Sequence, residues 1–172
     1  MKNLTINLEE IKQQSEIKSE ENKRFQSFIK SFPNLEIDEK VLKLNDTISK
    51  QIDCMLCANC CKTLHPAVTH EESKSLAKEL KMDAAEFAAS FLTADELENI
   101  NHFKQSPCIF LKEKKCSYYN VRPASCADYP HLTKPNFKYR LRSVMNNYTL
   151  CPIVFNVVEQ LKTELKFAPA SE

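Results

Sequence analysis

The sequence predicts a mainly α-helical protein with a small β-hairpin and irregular cysteine-rich metal-binding loops. Three observations carry that expectation. Apolar residues recur at helical spacing behind capping residues over much of the chain. Glycine is absent from all 172 residues, where an average chain of this length carries about a dozen. The eight cysteines all lie between 54 and 151, and four of them are packed into Cys54-Met55-Leu56-Cys57-Ala58-Asn59-Cys60-Cys61.

The lack of glycine disfavours a tight-turned all-β fold and excludes both the Walker A loop and the Rossmann fingerprint. Turns that need positive φ are expected to use Asn or Asp, or to be avoided. Apolar residues make up 42% of the chain, enough for one modest core, and the net charge of +1 gives no global field toward nucleic acid. The first ten residues lack an apolar signal-peptide core and soon turn acidic. No stretch approaches the length of a membrane span. A cytoplasmic protein with no membrane partner is the expectation. In that reducing compartment clustered cysteines are metal ligands rather than disulfides.

The elements follow in order. Residues 1–53, with 9 Lys/Arg and 10 Asp/Glu and no Cys or His, read as an N-terminal helical extension. An irregular apolar stripe runs through Glu9 to Ser31 and breaks at Phe32-Pro33-Asn34. A second stripe, Ile37, Val41, Leu44, Ile48 and Ile52, marks one helix face, with Asp38 as its cap and Ile37 and Leu42 as a hydrophobic staple. Such stripes usually mean burial within the chain, and a protein partner is the sharper alternative for these helices. Residues 54–172 read as the cysteine-cluster metal-binding domain. Within it Thr69/Glu72, Asp83/Glu86 and Thr93/Glu96 predict helix starts before Ser73–Lys81, Ala84–Phe91 and Leu97–Phe103. Two short strands are expected around Lys112-Glu113-Lys114-Lys115. A short helix carrying Cys126 starts at Pro123, residues 131–150 read as loop or extended, and a last helix begins beside Cys151-Pro152.

The chemistry rests on the thiols. In C-x2-C both sulfurs can meet one ion while backbone amides point at them, in zinc knuckles and iron–sulfur loops alike. Cys54, Cys57 and Cys60 extend that spacing by one step. Cys61 is adjacent to Cys60, and the two side chains are expected to diverge. Either one is spare or they serve two sites, with a bridging thiolate as one arrangement. Cys108, Cys116, Cys126 and Cys151 follow singly. Eight thiolates match two four-cysteine sites or one polynuclear centre, so the cofactor is zinc or iron, with an iron–sulfur cluster or more than one metal ion as alternatives. All-thiolate ligation suits zinc and iron–sulfur equally. Lys62, Arg122 and the Lys112–Lys115 turn are candidates to offset the thiolate charge.

These residues together carry a resemblance. Cys54-x2-Cys57-x2-Cys60-Cys61, Pro107-Cys108-Ile109-Phe110-Leu111, Cys116-Ser117-Tyr118-Tyr119, Arg122-Pro123, Cys126, Tyr129-Pro130 and Cys151-Pro152 resemble the CxxCxxCC family of zinc- or iron-chelating, YkgJ-like cysteine-cluster proteins. The match spans about residues 54–160 and its ordered motifs are far more specific than one CxxC. It implies that Cys54, Cys57, Cys60, Cys61, Cys108, Cys116, Cys126 and Cys151 are all metal ligands. The family often has Gly before its double Cys. Asn59 stands there in this chain and is expected to keep the loop by tolerating left-handed backbone. A similar cluster occurs in the flagellin lysine N-methylase group, where the implied cofactor is an iron–sulfur cluster.

Other residues weigh less. His65, His70 and His131 are further candidate ligands. Arg122, Lys134, Lys138, Arg140 and Arg142 with Phe137 and Tyr139 form a short basic patch, too small against a neutral balance to make nucleic acid the expected partner. The leading function is a cytosolic metal-binding protein. The alternatives are an iron–sulfur enzyme or redox protein of methyltransferase type and a metal-handling adaptor. No motif supplies a substrate pocket or a general base, so catalysis is neither implied nor excluded.

Overall fold

The computed structural model describes residues 3–95, 97 and 99–168. In chain order the elements are α1 (Leu8–Ile17), α2 (Ser19–Phe28), α3 (Asn34–Ser49), α4 (Cys54–Cys57), α5 (Asn59–Thr63), β1 (Ala67–Val68), α6 (His70–Glu79), α7 (Ala84–Phe91), β2 (Leu92–Asp95), β3 (Ile100–Phe103), β4 (Leu111–Lys112), β5 (Lys115–Cys116), α8 (Ala124–Ala127), α9 (Phe137–Met145) and α10 (Pro152–Glu164). The fold is mainly α, with small antiparallel sheets and the cysteines in short turns and loops. The chain forms two compact units, 1–53 with 130–172, and 54–129.

The first unit is helical. Its centre is α10, where Ile153, Val154, Phe155, Val157, Val158 and Leu161 are all buried. A helix apolar around its whole circumference must be surrounded, and α1 and α3 pack on it. Ile37, Val41, Leu44 and Ile48, the stripe read from the sequence, form the buried face of α3. That stripe is therefore spent inside the chain. The expected cap and staple fail, however. α3 begins at Asn34, behind Pro33, and Leu42 is 44% exposed. Asp38 caps a different helix: its carboxylate accepts the backbone N–H groups of Asn136 and Phe137, both at 2.8 Å. That contact explains α9, in a region expected to be loop. Phe137, Leu141 and Val144 face the core, but the cap that starts the helix comes from 99 residues away.

A polar network is buried in this unit. Lys162, 4% exposed, donates to Glu21 at 2.7 Å, Asn22 at 2.5 Å and Glu159 at 2.7 Å. Glu159 also receives the Tyr148 hydroxyl at 2.7 Å and the Lys18 ammonium. Burying charge is tolerable only with this degree of pairing.

The second unit is smaller. Val68, Leu76, Ala77, Phe87, Leu92, Phe103 and Phe110 form its buried core. α6 has the expected capping box between Thr69 and Glu72, and α7 is capped by Asp83. The third expected helix, 97–103, is absent. β2 and β3 form an antiparallel hairpin there, with β1 on the far side of β3 in the order β1-β3-β2. Along β3 burial alternates, with Asn101 and Phe103 inward, and that period of two outweighs the apparent cap at Thr93. Glu96 of that cap lies outside the described residues. β4 and β5 pair as expected, Leu111 with Cys116 and Lys112 with Lys115.

Glu159 offers a test of the buried network. Burial alone would raise its carboxyl, but the Lys162 and Lys18 ammonium groups and the Tyr148 hydroxyl hold it below the usual carboxylate range. A folded value below the unfolded one gives stability that is present above about pH 4.3 and lost as pH falls through the folded value. Glu159→Gln should cost about 1–3 kcal/mol at neutral pH, because Lys162 keeps Glu21 and Asn22 but loses one of its two carboxylate partners, and Lys18 loses its own. It should also flatten the acid limb. Urea unfolding followed by circular dichroism across acid pH measures both, and an acid limb as steep as that of the unmodified chain would show that another group titrates.

Candidate metal centre

The cluster is built on two single helical turns joined by one left-handed residue. α4 carries Cys54 to Cys57, and α5 carries Cys60 and Cys61. Between them Ala58 has φ 50° and ψ 18° and is buried. The left-handed position thus falls on Ala58, and Asn59 is the first helical residue of α5, against expectation. Ala58 N–H donates to the Cys54 carbonyl at 2.8 Å, which closes the first turn. The reversal brings Cys60 and Cys61 onto one turn with their sulfurs 4.0 Å apart. They converge, where divergence was expected.

Cys108 joins next. Its backbone N–H donates to the Cys61 carbonyl at 2.8 Å, fixing the two segments side by side. Cys108 precedes β4, and Cys116 ends β5. Both pack against the apolar core of the unit. The turn between the strands places Glu113 and Lys114 at φ 47° and 67°. Two successive left-handed residues suit the right-handed twist of a tight hairpin, a role normally given to Asn-Gly. The Leu111 N–H donates to the Cys108 carbonyl at 3.0 Å, and the backbone amides of Phe110 and Leu111 near Cys108 and of Tyr118 near Cys116 favour the thiolate. Amides aimed at sulfur favour thiolate, as in the loops that bind zinc and iron.

Cys126 sits in α8, behind Pro123, which caps that helix rather than opening it. The turn is held by a residue whose spacing gave no hint of the role. Glu72 closes the α6 capping box and also accepts the N–H of Ala124 at 2.7 Å. Burial works against its charge, but the amides of Ala124 and Thr69 prevail and keep its carboxyl low. Ser125 Oγ donates to the Ala67 carbonyl at 2.7 Å. A hydroxyl has one proton, so it serves the Cys126 thiolate only by turning from Ala67.

The electrostatics mark four thiols as one group. Burial raises Cys108, Cys116 and Cys126, the last to about 11. Negative charge on Cys61 disfavours the thiolate at all three, and Cys108 and Cys116 also oppose Cys126. Cys61 itself is pulled down to about 7 by its hydrogen bond with Cys60. The nearby Arg122 guanidinium favours the Cys116 thiolate. It stacks 3.6 Å from the Tyr119 ring centre and donates to the Tyr119 carbonyl at 2.7 Å.

The donors fit a soft divalent ion. Two thiolates on one tetrahedral ion, with bonds of about 2.3 Å, stand about 3.8 Å apart, and Cys60 and Cys61 are already at 4.0 Å. Among the described residues no three His, Cys, Asp or Glu side chains converge tightly enough to hold an ion as they stand. Cys54 is exposed and Cys57 half-buried. Cys151 is buried at the N-cap of α10, within the helical unit. His65 Nδ1 is bound to the Phe103 carbonyl at 2.8 Å, and His70 opens α6. His131 lies in the helical unit, where its carbonyl accepts Arg140. The basic patch is largely committed: Arg140 donates to the carbonyls of Pro135, His131 and Lys134, and Lys138 to that of Phe32.

A family model described as CxxCxxCC, putative zinc- or iron-chelating domain, matches residues 53–151. The chain belongs to this family. The CxxCxxCC match includes all eight cysteines and runs from the start of the second unit to the cap of α10. Compactness and family boundaries therefore divide the chain differently. No curated protein and no solved structure matches the chain.

Ala58 provides a test of the CxxCxxCC turn. A residue with a β-carbon costs about 1–2 kcal/mol in left-handed backbone, and Gly removes that cost. Ala58→Gly should therefore stabilise the unit by about 1 kcal/mol, offset in part by greater freedom of the unfolded chain. Thermal unfolding of the two proteins compares them, and a destabilised variant would show that the Ala58 methyl packing outweighs the strain.

Proposed function

We propose that the chain is a cytoplasmic metal-binding protein whose cysteine cluster holds zinc or iron. One observation carries this reading: within the CxxCxxCC match the Cys60 and Cys61 sulfurs lie 4.0 Å apart, close to the thiolate–thiolate edge of a tetrahedral ion, and the Cys108 N–H is bonded to the Cys61 carbonyl at 2.8 Å. A cation at these thiols would also relieve the opposition of Cys61 to the ionisation of Cys108, Cys116 and Cys126. The amides near Cys108 and Cys116 and the guanidinium of Arg122 favour the charged form that metals require. Cys54, Cys57 and Cys60 extend the candidate ligand set, and Cys151, at the start of α10 in the helical unit, is a further candidate of its own. A bound ion would supply the charge that lets these sulfurs approach. An iron–sulfur cluster uses the same donors. Persistent thiols in this number favour a reducing compartment. No described helix is long and apolar enough to cross a membrane. A protein partner for the N-terminal helices would meet the exposed side chains they retain, Ile17, Leu35 and Leu42.

Anaerobic purification, metal analysis and an absorption spectrum test the reading. Stoichiometric zinc in a colourless protein selects zinc, and iron with acid-labile sulfide and broad visible absorbance selects a cluster. In either case Cys116→Ser should reduce metal content at least about tenfold, as expected for loss of one thiolate ligand. A chain that acquires neither metal, or a Cys116→Ser variant with undiminished content, would overturn the reading.

A further inference from the structure

Glu72 makes more bonds than a helix cap requires. Its Oε2 closes the α6 capping box, accepting the Thr69 N–H at 2.8 Å and the Thr69 hydroxyl at 3.0 Å. Its Oε1 accepts the N–H of Ala124 at 2.7 Å, from 52 residues away. In a capping box Glu and Gln both serve, since one side-chain acceptor is enough. Here both oxygens are in use, and the second atom of a glutamine amide is a donor. The bond to Ala124 therefore calls for a carboxylate, and the capping box does not explain it.

Ala124 opens α8, the four-residue turn that carries Cys126. The next residue is tied as well, by the Ser125 hydroxyl to the Ala67 carbonyl at 2.7 Å. The Cys126 N–H closes onto the Pro123 carbonyl at 2.9 Å. So short a helix has little stability of its own, and its place in the unit is set by bonds such as these. Glu72 gives them a firm base, because Ser73, Leu76 and Ala77 on the same helix are buried.

We propose that Glu72 is a positioning residue for metal binding, which holds the Cys126 turn to α6 through Ala124 and so keeps the Cys126 thiol in place as a ligand. The inference rests on the metal-binding reading above and names a residue that sets how tightly the ion is held. Glu72 bonds to backbone and to the Thr69 hydroxyl, and it acts on the ion only through Cys126. It removes in advance the freedom that the Cys126 turn would otherwise lose when an ion arrives. Carboxylates that orient a ligand in this way are worth about 10–100-fold in metal affinity.

The test measures the affinity of the full-length chain for zinc, or for iron(II) if zinc does not bind, by competition with a chromophoric chelator. Glu72→Ala should weaken binding at least about tenfold. In a Cys126→Ser background the same substitution should have no further effect, since the ligand it positions is gone. A merely structural role would weaken both backgrounds alike. Ala124→Pro breaks the bond from its other end and leaves the capping box whole. Proline is accepted at the first position of a helix, and the ψ of 149° at Pro123 suits a proline after it. Ala124→Pro should weaken binding in the same way and in the same background, and it decides alone if Glu72→Ala does not fold. Unchanged affinity in the folded variants, or an equal loss in both backgrounds, would overturn the proposal. So would a Cys126→Ser chain that binds as tightly as the unmodified one. An unmodified chain that takes up neither metal would instead defeat the metal-binding reading itself.

Discussion

Cys61 opposes the ionisation of Cys108, Cys116 and Cys126, and burial opposes it further, so a cation among these thiols would relieve a charge the apolar surroundings disfavour. Most of the second unit can be understood from that constraint. Burial already raises Cys108, Cys116 and Cys126, and each negative neighbour raises them further. The scaffold answers with fixed dipoles: amides near two of the sulfurs and a guanidinium near one of them. Such groups are weaker than a full divalent charge, and they cost no reorganisation when an ion arrives. The scaffold thus favours thiolate at these donors, and a bound cation would remove the remaining repulsion.

Preparing them without glycine imposes strain. Left-handed backbone falls on Ala58 between the two cluster turns, and on Glu113 and Lys114 between Cys108 and Cys116. Both reversals that present thiols therefore use residues with β-carbons. Such positions persist only where surrounding contacts over-determine them. At Ala58 the closing bond to Cys54 and burial of the methyl supply that. At the hairpin, the ladder between Leu111 and Cys116 and the packing of Cys116 on the core do so.

The sequence showed elements whose signals are local. The Thr69 and Asp83 caps, the α3 stripe and the Cys151-Pro152 helix start lie within a few residues of what they specify. α9 has no such local signal, because its cap, Asp38, is remote in sequence. β3 carries a local capping pair that predicts helix, and the alternating burial that only β1 and β2 create outweighs it. Asn59 is the better left-handed former by intrinsic preference, but the geometry of two joined turns puts the left-handed residue at Ala58. At the site the donor types were evident from spacing. The association of Cys61 with Cys108 was not, since it depends on a backbone bond between segments 47 residues apart. The second role of Glu72 was hidden for the same reason.

The two units differ in what holds them. The helical unit packs α1 and α3 on the apolar α10 and pairs its buried charges internally. Among the described residues the buried apolar cluster of the cysteine unit is small, and the Cys108 and Cys116 thiols cover part of it. A domain with so little apolar burial is marginal on its own. Binding free energy at a site formed only in the folded state is folding free energy. The thiols that pack on the core cover apolar surface, and around an ion the same thiols would become the cross-link that the small core lacks.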